Sequence, residues 1–204
     1  MTDTPQKTAA IVLAAGTSTR FGRDHKLLAN LNGVPVIHKA ITALKAARMN
    51  QIILVTGFRH KDILSALEDQ EIFTIHNPNF ESGMAASLAV GVGGLKPDVD
   101  QCFICLADMP FTEPGTYRAL IAAADQTSAA QIFVPTHGGK RGNPVLWRKS
   151  QFHKLQQITG DTGGKSIIKE EPHLVLEVPV DDGGILIDLD TPEALAQFSV
   201  RAAD

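Results

Sequence analysis

Cysteine and the larger aromatics are scarce: two cysteines, one tryptophan and one tyrosine in 204 residues. Two cysteines make no disulfide framework. Both fall in one C-x-x-C, Cys102 and Cys105 of "CFICLA", which reads as a buried strand. Residues three apart on a strand point to opposite faces, so these thiols do not share an ion and read as core. An excess of one charge is also missing. The chain carries 22 acidic and 19 basic residues, a net charge of -3. No general field for nucleic acid or an acidic membrane follows, and any cationic function must be local. "AAIVLAAG", the longest apolar run near the N-terminus, is too short for a bilayer and follows no basic leader, so a cytoplasmic location without membrane partners is expected. There is no repeat and no low-complexity segment. G-x-G-x-x-G does not occur, and Gly16 to Gly22 is one residue too long for G-x-x-x-x-G-K-[ST], which demotes dinucleotide oxidoreductases and P-loop ATPases. Seven histidines form no H-x-x-x-H or H-E-x-x-H. His25, His60 and His137 read as surface or loop residues.

What is present is an ordinary globular composition, 44% apolar and 20% charged, sufficient for one domain spanning 1–204 with ordered core from residue 8 to 200. The ends "MTDTPQK" and "VRAAD" are expected to be disordered. Apolar runs bounded by turns alternate with segments of helical period, predicting an α/β fold with a mostly parallel, doubly wound, Rossmann-like sheet. Strands are expected at "TAAIVLAA", "QIILVTG", "EIFTIHN", "QCFICLA" and "QIFVPT", with extended pieces at "NPVLW", "LVLEVPV" and "GILIDL". Helices are expected over 35–48, 60–68, 83–92, 114–124, 149–157, 164–170 and 192–198. "HGGKRGNPVLW" reads as a small β insertion overhanging the sheet. Ligands of open α/β sheets bind beyond the carboxyl ends of the strands, so the loops after strands are where chemistry is sought.

The first such loop is "LAAGTSTRFGRDHKLL". Gly16 permits a sharp turn, successive N–H groups with the Thr17, Ser18 and Thr19 hydroxyls can bind anionic oxygens, and Arg20 and Lys26 add charge. Composition alone fits equally a strand-to-helix connection with solvated charges, and Arg23 reads as such a neighbour. The order of residues is more specific. With "NGVP" after it, the segment resembles the L-A-[AG]-G-x-[ST]-x-R-[MF]-G…K loop of nucleotidyltransferases that activate sugars, isoprenoid alcohols and molybdopterin, the nucleotide-diphospho-sugar transferase type, and most nearly the molybdopterin cytidylyltransferases. The resemblance implies a loop wrapped around a nucleoside triphosphate, with Arg20 on the β and γ phosphates and Lys26 on the α phosphate. Two polyanions meeting at phosphorus explain the need for local cations.

Asp108 follows the strand of "CFICLADMPF" directly. A carboxylate there can hold Mg²⁺ against phosphate oxygens or cap the next turn, and local pattern slightly favours the cap. In "ILIDLDTPEAL", alternation places Asp188 and Asp190 on one face of an extended strand, while Asp190-Thr-Pro-Glu193 also reads as a helix start. The resemblance implies Asp108 and Asp190 as ligands of Mg²⁺, with Asp188 the weaker alternative. "NPNFESGMAASL" resembles the family segment lining the nucleobase and ribose pocket, which implies nucleoside contacts from Ala14, Ala15, Gly83 and Ser87. "GGKRGNPVLW" and "GDTGGKSII" resemble the acceptor end, implying Gly139, Arg141, Asn143 and Asp161 near the molybdopterin phosphate. Asp161 reads equally as the cap of the following helix, and Lys165 stands where the family commonly has arginine. Trp147 and Phe80 are candidates for stacking on a base or pterin, or for packing.

Together these imply an Mg²⁺-dependent transfer of CMP from CTP to molybdopterin with release of pyrophosphate, the product passing to a molybdenum hydroxylase client or its chaperone. Guanylyl enzymes of this kind tend to show L-A-G-G and an aspartate before the lysine, where this chain has Ala15 and His25. Guanylyl transfer, a sugar or isoprenoid nucleotidyltransferase, and a non-catalytic carrier of the cofactor are the alternatives.

Overall fold

A computed structural model of the chain describes residues 6–21, 24–70, 72–161 and 163–199. Gly22 and Arg23 of the first loop, residues 1–5 and residues 200–204 of the expected disordered ends, and Thr162 lie outside the described residues.

The unbroken apolar run of β1 (Thr8–Ala14) is what a strand buried on both faces requires. After it, β2 (Asn30–Leu31) and β3 (Val34–Pro35) form a small separate hairpin closed by Asn32-Gly33. In the main sheet β4 (Gln51–Thr56) pairs parallel with β1, and β5 (Phe73–His76) pairs parallel beyond it. On the other side of β1 lies β6 (Gln101–Leu106), again parallel. The chain thus winds outward from β1 in one direction and returns to its opposite side. Between β1 and β6 is the topological switch point, where loops leaving the two strands diverge and a crevice opens.

The sheet continues through β9 (Val145–Arg148), antiparallel to both β6 and β7 (Ile132–His137), and ends with β10 (Val175–Pro179), parallel to β7. The exposed β8 (Lys140–Arg141) folds back on β7. Only this hairpin tip stands off the sheet; "PVLW" is drawn inside it, because Leu146 and Trp147 bury completely on opposite faces.

Period-2 alternation sorts the core into two layers. Ala10, Val12 and Ala14 of β1 join Phe103 and Cys105 beneath α1 (Val36–Ala46) and α4 (Pro114–Asp125). Ala9 and Ile11 join Val55 and Cys102 beneath α3 (Met84–Gly93), α5 (Phe152–Gln157) and α6 (Lys165–Glu170). The two thiols sit in different layers, and burial pushes both up, away from thiolate. In α3, Gly91 lies so close over Ile11 that a side chain would collide with it, which lets the helix settle on β1. Two shorter helices, α2 (His60–Ser65) and α7 (Pro192–Phe198), complete the fold.

"GILIDL" is not a strand. Gly183–Leu186 is a 3₁₀ turn capped by Asp182, whose carboxylate accepts N–H bonds from Gly184 at 2.8 Å and Glu113 at 2.9 Å and the Thr116 hydroxyl at 2.6 Å. A buried carboxylate with three donors outweighs the weak strand preference of six residues.

Candidate active site

The crevice at the switch point is a cavity of about 540 Å³ at the carboxyl ends of β1 and β6. Ala14, Ala15, Gly16 and Thr17 enter it from the first loop, Asp108 from the loop after β6, Gly83, Met84 and Ser87 from the start of α3, and Asp188 and Asp190 from the segment before α7. Lys26, Glu81, Asp161 and Lys165 add to the polar lining. A depression of about 570 Å³ at the opposite end of the strands, beside Lys45, Phe73 and Lys96, has no carboxylate in its lining among the described residues.

Lys26 opens a 3₁₀ turn, Lys26–Leu28, that points its half-buried side chain back across the cavity. Its ammonium donates to Asp108 Oδ2 and, at 2.6 Å, to Asp190 Oδ1. Arg20 Nη1 reaches the other oxygen of Asp190 at 2.9 Å. The Leu189 N–H donates to the Asp108 carbonyl at 2.9 Å, locking the two acidic loops together. Burial disfavours charge on Lys26, but Asp108 and then Asp190 outweigh it and hold its pKa above the ordinary lysine value. The hydrogen bond from Lys26 holds Asp190 below the usual carboxylate value, against burial and with help from Arg20. The contact set is therefore two carboxylates, Asp108 and Asp190, bridged by Lys26 and flanked by Arg20.

Asp108 and Asp190 suit a divalent ion. Their oxygens converge on one point, and Asp108 Oδ1 is buried with no hydrogen-bond partner in the protein. Mg²⁺ takes one or two carboxylates and completes its shell with phosphate and water, so no third protein ligand is needed. Among the described residues no larger group of metal-ligating side chains exists.

On the α3 side of the cavity, where nucleoside contacts are expected, Gly83 has φ +98° and its missing side chain leaves room for Asp161. Ser87 is buried at the cavity wall, its oxygen accepting from Asn77 Nδ2 at 3.0 Å while Asn77 Oδ1 accepts the Asn79 N–H at 2.9 Å. The Ser87 proton remains available to an acceptor in the cavity. Asn77 was legible only as a turn residue; its burial beneath Ser87 depends on packing that no local pattern encodes. Phe80 lines the same cavity.

Where the acceptor is expected, Asn143, Trp147, Asp161 and Lys165 line a smaller pocket of about 110 Å³ that shares residues with the larger cavity. Asp161 does not cap the helix that follows it. Its Oδ1 accepts the Met84 N–H at 3.0 Å, and the Gly160 carbonyl accepts that of Ala85 at 3.1 Å, so it caps α3 from outside. Gly139 and Arg141 stand apart from both linings: Arg141 is held on the β7–β8 hairpin by Glu177 at 2.7 Å. Ser18 is likewise outside the cavity wall, in the loop at φ 53°. His25, read as a surface or loop residue, is in the loop but only 1% exposed. Its contact with Leu27 is a local cap, whereas that with Gly16, nine residues back, is not given by spacing.

Residues 10–175 match the MobA-like NTP transferase domain. The chain belongs to that family. The matched domain is of the nucleotidyltransferase type, and the family commonly uses a divalent metal. The molybdenum cofactor guanylyltransferase of Shewanella frigidimarina is 26% identical over 197 residues, 95% of this chain and 96% of that protein. The nicotine blue oxidoreductase of Paenarthrobacter nicotinovorans is 23% identical over 95% of this chain and 97% of its own length. Bifunctional GlmU proteins also match, but this MobA-like chain spans only 24% to 28% of the length of three of them. Among solved structures, Rv0371c from Mycobacterium tuberculosis H37Rv superposes with a TM-score of 0.85 at 27% identity, covering 96% of this chain and 98% of that one. Rv0371c has also been solved in complex with manganese. Among the described residues, no helix of this MobA-like protein is long and apolar enough to cross a membrane.

Proposed function

We propose that the protein transfers CMP from CTP to the terminal phosphate of molybdopterin with Mg²⁺, releasing pyrophosphate, in the cytoplasm, for delivery to a molybdenum hydroxylase client or its chaperone. The observation that carries nucleotidyl transfer is the convergence of Lys26, Asp108 and Asp190 at the switch-point cavity, beside the glycine of the first loop. Ala15 and His25, where guanylyl enzymes tend to have glycine and aspartate, support cytidine.

Ala14, Ala15, Gly83 and Ser87 hold the nucleoside, and Gly16 and Thr17 hold the triphosphate; Ser18, outside the cavity wall, joins them only if the loop closes inward. A phosphate oxygen of the acceptor attacks the α-phosphorus in line, the new P–O bond forms, and the bond to the β-phosphate oxygen breaks, its electron pair leaving with pyrophosphate. The acceptor oxygen is already ionised, so no general base is required. Lys26 releases the carboxylates for the α-phosphate and neutralises its equatorial oxygens as charge accumulates. Arg20 leaves Asp190 to fork across the departing pyrophosphate. Asp108 and Asp190 would hold Mg²⁺, which supplies Lewis-acid charge neutralisation on phosphate oxygens when bound. Asn143 and Asp161, with Lys165, receive the acceptor; Gly139 and Arg141 belong to this end only if their hairpin moves inward.

Guanylyl transfer is the second reading, favoured by the full-length similarity to the Shewanella enzyme. Purified protein incubated with molybdopterin, Mg²⁺ and each triphosphate in turn decides between them. Molybdopterin cytosine dinucleotide as the dominant product is expected; equal use of GTP contradicts cytidine selection, and a nucleotide accumulating only on a sugar or isoprenoid phosphate contradicts the acceptor.

A further inference from the structure

We propose that His25 is a positioning residue that clamps the nucleotide loop to the turn carrying Lys26. This rests on the assignment of Gly16 and Lys26 to the triphosphate. The imidazole is wholly buried and bridges two backbone groups on opposite sides of the loop: Nδ1 lies 3.3 Å from the Leu27 nitrogen and Nε2 lies 3.2 Å from the Gly16 carbonyl oxygen. An amide N–H only donates and a carbonyl only accepts. Nδ1 must therefore carry the lone pair and Nε2 the proton, so the two partners select one neutral tautomer.

Each bond places something the transfer uses. The Nδ1 bond caps the three-residue turn that begins at Lys26 and so sets the origin of that side chain. The Nε2 bond holds the Gly16 carbonyl, and in a trans peptide the following Thr17 N–H points the opposite way, so fixing one fixes the other. Gly16 and Thr17 both line the cavity. The ring is held in plane by Phe58, stacked at 5.9 Å and 19°, whose own N–H donates to the Ala15 carbonyl at 3.4 Å. Three contacts from two elements thus converge on the glycine turn, and an imidazolium would break the one to Leu27. Burial is the main reason the ring stays neutral. The Gly16 carbonyl and Asp62 favour the proton, Arg59 and Lys26 oppose it, and the balance lies below the ordinary histidine value.

Substitutions that keep one half of the clamp separate its two tasks. His25→Asn retains an acceptor near Nδ1 for Leu27 and loses Gly16; His25→Gln retains a donor near Nε2 for Gly16 and loses the cap. In steady-state pyrophosphate release with Mg²⁺, CTP and molybdopterin, His25→Asn is expected to raise KM for CTP and His25→Gln to lower kcat, each by roughly tenfold, the scale of small misplacements in a reacting complex. His25→Ala is expected to do both. Full retention of both constants in all three variants overturns the clamp. So does a loss in activity of the same size in all three that tracks only the fraction folded. The ring nitrogens of the wild-type protein, read by ¹⁵N NMR, need no activity: a protonated Nε2 and bare Nδ1 persisting below the ordinary histidine pKa are expected, and the other tautomer or an imidazolium at pH 7 overturns the inference. Should the wild-type protein transfer no nucleotide at all, the functional reading fails while this spectrum still decides the clamp.

Discussion

Lys26 is the residue on which the account turns, because it holds together two carboxylates that would otherwise face each other. Lys26→Ala removes a preorganised charge from the transition state, and turnover should fall by roughly 10²–10³, with CTP binding reduced less. An unchanged kcat with a raised KM would instead make it a uniform binding group. The same variant leaves Asp108 and Asp190 unopposed, so its melting temperature without divalent ions should drop, and Mg²⁺ should raise it by more than in the wild type. Both acids and Lys26 were legible in the sequence, each in a distinctive loop. That the lysine bridges the acids was not, because the contact spans 82 residues in one case and 164 in the other.

At the scale of elements, α3 is the helix that presents Gly83 and Ser87, and its first turn is capped by Asp161 from a distant loop. Asp161→Ala should cost about 0.5–2 kcal/mol, while Asp161→Asn, which can still accept the Met84 N–H, should cost much less. Equal losses in thermal unfolding would show that charge or acceptor contact, rather than the cap, is what Asp161 supplies. The long parallel strands and the helices opening at proline could be read locally, since continuous apolar runs and missing N–H groups identify them. The absent strand at "GILIDL" and the misplaced, though correctly extended, "PVLW" share a cause. "GILIDL" follows Asp182, whose partners at Glu113 and Thr116 are remote, and "PVLW" enters the sheet because β6 and β7 leave a gap of one strand.

For the molecule as a whole, the neutral His25 links stability to acidity. The unfolded chain takes up its proton near the ordinary histidine pKa, the folded chain only at lower pH, so between those values the unfolded state binds more protons. Stability should be fully present above the ordinary value and decline on acidification through it, and His25→Gln should flatten that slope. Urea unfolding at a series of pH values checks both. The parallel fold around β1 and the cavity at its carboxyl end are consequences of the same winding order, which is why strand-end loops located much of the site from sequence alone. The acceptor end was less legible, because Arg141 engages Glu177 on an exposed hairpin whose orientation no motif fixes.

The central claim, metal-assisted nucleotidyl transfer at Asp108, is tested most directly by pyrophosphate release from Mg²⁺, CTP and molybdopterin, measured on Asp108→Asn beside the wild type and beside thermal unfolding of each. Asp190 still pairs with Lys26 in that variant, so it should fold with only a modest loss in melting temperature, bind Mg²⁺·CTP poorly and be nearly inactive. A destabilised Asp108→Asn protein that retains full activity in its folded fraction would make Asp108 a structural residue and contradict the account.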